Sequence, residues 1–290
     1  MLDENNRCEY KSGITAILTV YNEEKLIERC LKSLEGVVDE IVVLHDGECR
    51  DRTLEIARKY TDKVFVADHK GEAELHNITI LQYITFSWLL RLDADEFLST
   101  EMIEQLPHLI HDETIDAYAF VWQYWDGTRY ITSGVPYKPA MFRMNKVRAV
   151  EFTHKNYTTA GVMKNLPIRI EHQPAYNNYS PSVFKNKWKK WIKNQAERTL
   201  DNENTRFYNY HEEDIAAFYR YLNLQVRLAH PLTIPAWFAL SFFSFIKRLE
   251  VWRNLSAIHV PFYMGGYAAW MCWYMWLGKR NTRKKQKQTA

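Results

Sequence analysis

Residues 91–99 read RLDADEFLS, directly after the apolar run FSWLL. Asp93 and Asp95 stand one residue apart, and Glu96 follows. Aspartates at i and i+2 just past a strand end can converge on one hard cation from a turn. Mg²⁺ takes oxygen ligands in near-octahedral geometry and is usually held by one or two carboxylates, with substrate phosphates and water completing the shell. No His or Cys flanks the pair, which argues against zinc. The natural guest is a metal-bound diphosphate, the metal offsetting charge on a leaving phosphate as Lewis acid and template. A structural role competes. Ser99 or Thr100 can open a helix with Glu101 nearby, but this accounts for Ser99 and Glu101 and not for the aspartates upstream.

The elements before this cluster explain how it would be positioned. ITAILTV (14–20) is a short β-branched run that reads as a buried strand. In NEEKLIERCLKSL, Leu26, Ile27, Cys30, Leu31 and Leu34 fall at helical spacing, with Glu23 and Glu24 near the start. A strand EIVVL (40–44), the loop HDGECRD, a helix RTLEIARKY, a strand KVFVA (63–67), a helix over 72–84 and a strand FSWLLRL follow. Strands alternating with helices at this spacing imply parallel βαβ units, and ligands in open α/β sheets bind outside the strands' carboxyl ends. YNEE, HDGECRD and DADE all belong at that rim. Beyond about residue 112, IDAYAFVWQYW, RYITS, YKPAMFRM and LPIRIEH read as short strands of a mixed or antiparallel extension. From 182 onward the chain reads as aromatic-rich helices.

ITAILTVYNEEKLIERCLKSL, DEIVVLHDGECRDRTLEIARKY and WLLRLDADEFLS, in this order over roughly residues 13–110, resemble the nucleotide-sugar half of family 2 glycosyltransferases, the inverting GT-A type. MFRMNKVRAVEFTHK, IRIEHQP and the Lys/Trp-rich helix more loosely resemble bacterial members that build lipopolysaccharide core or capsule. The resemblance implies a Rossmann-like, mostly parallel α/β sheet with a mixed-sheet extension and a helical C-terminal region. The expected division is 1–112 for the nucleotide-sugar half, 113–180 for the acceptor side and 181–290 for a membrane-associating helical region. It further implies transfer with inversion from a nucleotide-diphospho-sugar, UDP-linked, with Mg²⁺ or Mn²⁺, to a lipid-linked or lipopolysaccharide-type glycan. By position, Val20, Tyr21, Asn22 and Glu23 would line the nucleotide pocket and Asp46 would meet the base. Asp95 would be the more direct metal ligand, and Asp93 would lie nearer the ribose and diphosphate.

The chain departs from the family pattern in places. Thr19 replaces a common proline, His45 precedes Asp46 where an acid is usual, and ECR stands where two small residues are common. These changes bear on the base contact. KGEAELHN replaces a Gly/Ala/Arg/Asn run, so His76 would take the place of an arginine that faces phosphate. An inverting transfer needs a general base for the acceptor hydroxyl. VEFTHKN supplies Glu151, the first choice, and His154, the second; the DG pair supplies Asp126. A solvated strand-face Glu is the plain alternative for Glu151. His172 would contact the departing diphosphate or make a structural hydrogen bond.

FKNKWKKWIKN (184–194) carries five lysines and no acid, with Phe184, Trp188, Trp191 and Ile192 on one stripe. Such a helix can lie on an anionic membrane or grip a lipid-linked phosphate, or bury its stripe against the catalytic domain. Residues 257–277 contain no Asp, Glu, Lys or Arg and are just long enough to span a bilayer, which takes about 20 residues. Pro261, Gly265, Gly266, His259 and the Trp/Tyr content suit an interfacial or re-entrant hairpin better. The basic tail beyond belongs on the cytoplasmic side. The expected location is the cytoplasmic face of the inner membrane, peripheral or monotopic.

At 290 residues, 47% hydrophobic and 25% charged, the chain is a globular protein. The net charge of +3 arises in the last twelve residues, which hold six Lys or Arg and no acid, so the rest is net negative and nucleic-acid binding is not indicated. Cys8, Cys30, Cys49 and Cys272 lack CxxC spacing, and the opening MLDENNRCEYK is polar and acidic, so a reducing compartment with unpaired thiols is expected. A sugar nucleotidyltransferase is one rival, although TVYNEEK lacks the Gly-rich phosphate loop such an enzyme needs. A catalytically inactive membrane-associated scaffold is the other.

Overall fold

The computed structural model describes residues 10–125, 127–131, 137–177, 180–249 and 259–289. Asp126, one source of an acid considered above, lies outside them, as does the start of the 257–277 stretch. The chain divides into two compact units: Met1–Trp122 with Tyr137–Val150 and Asn156–Gln173, and Gln123–Pro136 with Glu151–Lys155 and Pro174–Ala290.

The first unit begins β1 (Lys11–Val20), α1 (Ile27–Leu34), β2 (Glu40–Asp46), α2 (Thr53–Ala57), β3 (Val64–Ala67), β4 (Phe86–Arg91), β5 (Glu96–Leu98), α3 (Thr100–Leu109) and β6 (Ala117–Trp122). The short strands β7 (Tyr124–Trp125) and β8 (Tyr130–Ile131) form a hairpin of the second unit. The first unit then resumes with β9 (Tyr137–Arg143), β10 (Val147–Val150), β11 (Thr158–Thr159) and β12 (Met163–His172). Eight strands make one sheet in the order β3-β2-β1-β4-β9-β6-β12-β5. β1 pairs in parallel with β2 and β4, and β2 with β3. β9 runs antiparallel to both β4 and β6, while β6 and β12 are parallel. The C-terminal ends of β1, β2, β4, β6 and β12 and the N-terminal start of β9 therefore share one rim. This is the mostly parallel α/β sheet with a mixed extension that the resemblance implies.

Strands buried on both faces need continuous apolar runs, and β1 and β4 supply them: Ile14, Ala16, Leu18, Trp88 and Leu90 are buried with Leu31 and Leu34 of α1 and Phe120 of β6. α1 buries Ile27, Cys30, Leu31 and Leu34, the predicted stripe. It opens later than Glu23, because the preceding backbone is tied elsewhere: Glu23 N–H donates to Thr53 Oγ1 (2.6 Å) and Glu24 N–H to Asp51 Oδ2 (3.1 Å). Ser99 caps α3, accepting from Met102 N–H. The helix expected over 72–84 is instead two 3₁₀ turns, Ala73–His76 and Ile80–Tyr83. Asn77, Ile78 and Thr79 separate the two turns, one amide and two β-branched residues, which lose rotamer freedom in a helix. The β6–β12 ladder shifts register between Leu166 and Arg169, where β12 advances three residues while β6 advances one.

The second unit contains α4 (Pro181–Val183), a π-helical turn (Phe184–Trp188), α5 (Lys189–Leu200), α6 (Glu212–Leu228), α7 (Ile234–Leu249) and α8 (Val260–Thr289). The aromatic stripe of the lysine-rich segment faces inward: Trp188 and Ile192, with Ala196, are buried with Met271, Cys272 and Met275 of α8, and Phe184 and Trp191 are partly buried against them. Lys185, Lys189, Lys190 and Lys193 point to solvent. α7 runs antiparallel on α8, where Ser241 Oγ donates to Met264 O (2.9 Å) and Gly265 leaves room for the ring of Phe238. Lys279 Nζ donates to the carbonyls of Val226 and Ala229 at the end of α6, a favourable place for a cation. Among the described residues no single helix is long and apolar enough to cross a membrane, but the pair Glu212–Leu228 and Pro231–Lys247, bent by 100°, passes by length and composition.

Candidate active site

At the end of β4 the chain turns so that the carboxylates of DADE go to different partners. Asp93 Oδ1 lies 3.1 Å from Arg91 Nη2, and Oδ2 lies 2.9 Å from Lys138 Nζ, so each oxygen already faces a cation. Lys138, at the start of β9, also donates to Glu96 Oε1 (2.5 Å). Glu96 accepts from Trp122 Nε1 (2.7 Å) and from Asp93 N–H (2.9 Å). Arg91 is buried and donates to Asn156 Oδ1 as well. Burial works against the charge on Asp93, but Arg91 and Lys138 outweigh it and hold the carboxyl well below the ordinary range. Burial pushes Glu96 up despite Lys138, with Asp93 and Asp95 adding to the rise. For Lys138 itself burial favours the neutral amine, and Asp93 and Glu96 more than reverse that.

Asp95 is placed differently. Its Oδ2 lies 3.5 Å from Nε2 of His172, and its side chain keeps 23% of its surface exposed. His172 ends β12 and its ring stacks on Trp122 with centroids 4.4 Å apart. The next residue, Gln173, donates its N–H to Asp95 O (2.9 Å) and is gripped by Arg29 of α1, which donates to Gln173 Oε1 (2.9 Å) and O (2.8 Å) and lies over the Phe97 ring. His172 is thus fixed beside Asp95 by ladder register, stacking and an arginine brace.

The first two loops are laced together. Arg50 N–H donates to Asn22 Oδ1 (2.9 Å), Arg52 N–H donates to Glu24 Oε2 (3.1 Å), and Asp51 accepts from Glu24 and Thr53 N–H groups. Asn22 sits in the left-handed region at φ 55°, which Asn tolerates better than most residues. Buried His45 accepts from Asn22 N–H at Nε2 (3.2 Å), while Nδ1 lies 2.8 Å from Gly47 O. A carbonyl only accepts and a backbone N–H only donates, so the ring is assigned as the Nδ1–H tautomer. Val20 is buried, leaving its backbone to the rim, and Tyr21 is 42% exposed, its ring 5.7 Å from His45 and 5.0 Å from His69.

Asp46 is buried with both oxygens in use. Oδ1 accepts from Lys70 N–H (2.6 Å) and His76 Nε2 (2.8 Å), and Oδ2 accepts from Gly71 N–H (2.8 Å). These bonds fold residues 69–76 back over β2. Burial opposes its charge, and the donors from Lys70, His76 and Gly71 pull the carboxyl below its ordinary value. His76 is fully buried against Asp46.

Glu151 and His154 belong to the second unit. Glu151 pairs with Arg206 (3.3 Å), and its N–H donates to Arg206 O (3.0 Å). His154 has a left-handed backbone, φ 55°, with its ring against Trp191 and Tyr267. Tyr21, Glu23, Asp46, Asp93 and Asp95 all lie at the same end of the first unit's sheet, at or just past the ends of β1, β2 and β4. Lys138, Trp122 and Arg29 carry no local sequence signal, since their contacts with the acidic turn or with the His172–Gln173 strand end span tens of residues of chain.

A model of glycosyl transferase family 2 matches residues 15–167, a little over half the chain. The chain belongs to that family. An uncharacterized glycosyltransferase of Rickettsia bellii is 32% identical over 107 residues, 36% of this chain and 35% of that one. The SPbeta prophage-derived glycosyltransferase SunS of Bacillus subtilis is 33% identical over 90 residues, 30% of this chain and 21% of its own. The matched region spans about a third or less of the length of these curated relatives. Among solved structures, glucosyl-3-phosphoglycerate synthase of Mycobacterium tuberculosis, in complex with Mg²⁺ and UDP, aligns with a TM-score of 0.32 at 23% identity over 38% of this chain and 44% of that one. TarS of S. aureus aligns at 0.40 and 15% identity over 69% and 41%.

Proposed function

We propose that this protein transfers a sugar, with inversion, from a nucleotide-diphospho-sugar, UDP-linked, to a lipid-linked or lipopolysaccharide-type glycan. The observation that carries the reading is the meeting of Asp95 and His172 at the rim where the strand ends and laced loops converge. Among the described residues no group of three or more His, Cys, Asp or Glu is arranged to hold a metal. One carboxylate and one imidazole nevertheless suit an Mg²⁺ or Mn²⁺ ion that takes the rest of its shell from a diphosphate and water. In this reading Asp95 and His172 would hold the ion. Once bound, it supplies Lewis-acid stabilisation of charge on the leaving diphosphate. Asp93, already neutralised by Arg91 and Lys138, orients the donor's ribose. Tyr21 offers its exposed ring to the base. Asp46 shapes the base pocket by holding residues 69–76, and His76 acts by buttressing Asp46. The acceptor hydroxyl attacks the anomeric carbon as the bond to the diphosphate breaks, its proton passing to a general base, for which the sequence offers Glu151 first and His154 second.

The test is a thermal-shift titration paired with turnover. Mn²⁺ alone should move the melting temperature little, because two protein ligands make a poor cage. Mn²⁺ with UDP should move it together. Asp95→Asn should abolish the joint shift, keep the fold, and lower UDP release from the donor on the order of a hundredfold. A variant that releases UDP at the original rate refutes the assignment.

A further inference from the structure

Among the described residues nothing covers the outer face of α7. Ala236, Leu240, Phe243 and Lys247 are all exposed and fall at i, i+4, i+7 and i+11, one side of the helix. Leu240 is 76% and Phe243 63% exposed, and Leu232, at the corner where α6 meets α7, is 84% exposed. Phe262 of α8, whose ring packs on Phe242, is 56% exposed. Tyr221, Leu224 and Leu228, at i, i+3 and i+7 of α6, are exposed as well. The opposite face of α7 is consumed by α8, through Phe238 against Gly265 and Ser241 on Met264. Large apolar side chains exposed along one side of a helix and at the corner beside it mark an interaction surface.

Charge indicates the partner. From Pro231 to the last residue the sequence holds nine Lys or Arg and a single acid, Glu250. Lys185, Lys189, Lys190 and Lys193 of the same unit are exposed too. Two copies meeting through such a segment would bring like charges together, whereas an anionic bilayer would attract them. A helix with an apolar face and basic flanks lies in the plane of the interface rather than across it. We infer that the α6–α7 corner and the outer face of α7, centred on Leu232, Leu240 and Phe243, form a docking surface for an anionic lipid bilayer. The surface centres on α7 and its corner with α6 rather than on the 257–277 stretch that composition alone singles out. The inference needs no donor, metal or turnover, so it stands or falls separately from sugar transfer.

The test is co-sedimentation of the full chain with vesicles of phosphatidylcholine alone and of an equal mixture with phosphatidylglycerol. Binding to the mixed vesicles is expected to be about tenfold tighter or more, and to weaken as salt screens the lysines. Leu240→Glu/Phe243→Glu should lose about tenfold or more of that binding with circular dichroism and melting unchanged, since both side chains are exposed, and the milder Leu240→Gln/Phe243→Gln should lose part of it. No binding by the native chain, or equal binding by both variants, overturns the inference. So does a concentration-dependent dimer that the Glu variant dissolves while vesicle binding persists, which would assign the face to a second copy.

Discussion

Lys138→Met removes the ammonium that lies 2.9 Å from Asp93 and 2.5 Å from Glu96 while keeping the length of the side chain. Arg91 still faces Asp93, but Glu96, 1% exposed, keeps only the Trp122 and Asp93 N–H donors. Removing one partner of a buried pair typically costs about 3–5 kcal/mol, because the remaining charge is stranded away from water. At about 2–4 °C per kcal/mol for domains of roughly this size, melting should fall by about 6–20 °C. The cause is separable by a double-mutant cycle. Glu96→Gln keeps an acceptor for Trp122 and removes the stranded charge, so Lys138→Met/Glu96→Gln should recover about 1–3 kcal/mol relative to Lys138→Met. Urea denaturation of the four proteins, with the slope checked for constancy, reads each term. If Lys138→Met melts like the native chain, or if Glu96→Gln gives no recovery, the ammonium does not hold this turn together.

Glu40 is depressed: burial raises it, but Lys63, Thr85 and Thr15 hydrogen bonds outweigh that. Its stabilising contribution is therefore present above the unfolded value of 4.5 and is lost as pH falls through the lower folded value. Glu40→Gln should flatten the acid limb of a stability–pH curve measured by urea midpoints. Gly13 has φ +143°, and a Cβ there would clash with Asp39 Oδ2 and lie 2.6 Å from the Phe86 ring. Gly13→Ala should cost about 1–3 kcal/mol or more by displacing the carboxylate that accepts from Ile14 N–H, visible as a lowered melting temperature.

The βαβ half was legible because each of its strands is a local apolar run and each helix a local stripe, as in Ile14–Val20 and Ile27–Leu34. Asp93 and Asp95 could be placed at a rim for the same reason. The side chains that hold them could not: Lys138 lies some forty residues on in a strand whose sequence reads as ordinary, and His172 is brought beside Asp95 by ladder register. The resemblance implies that Asp46 meets the base. Its saturation comes from Lys70, Gly71 and His76, whose segment runs into two short 3₁₀ turns where one helix was expected, because β-branched Ile78 and Thr79 between them are costly in a helix. Packing of the lysine-rich helix was half legible: the stripe was visible, but its partner, α8, lies some seventy residues downstream.

The slip in the β6–β12 ladder has a consequence for how this protein can change length. Side chains along a strand alternate with a period of two, and the two surplus residues between Leu166 and Arg169 are an even number, so everything beyond keeps its parity. Loss or gain of a single residue there would turn the imidazole at the strand's end to the far face and present a neighbour to Asp95 instead. Indels in this stretch are therefore tolerable only in pairs, which makes a segment remote from any chemistry as restrictive as the acidic turn it serves.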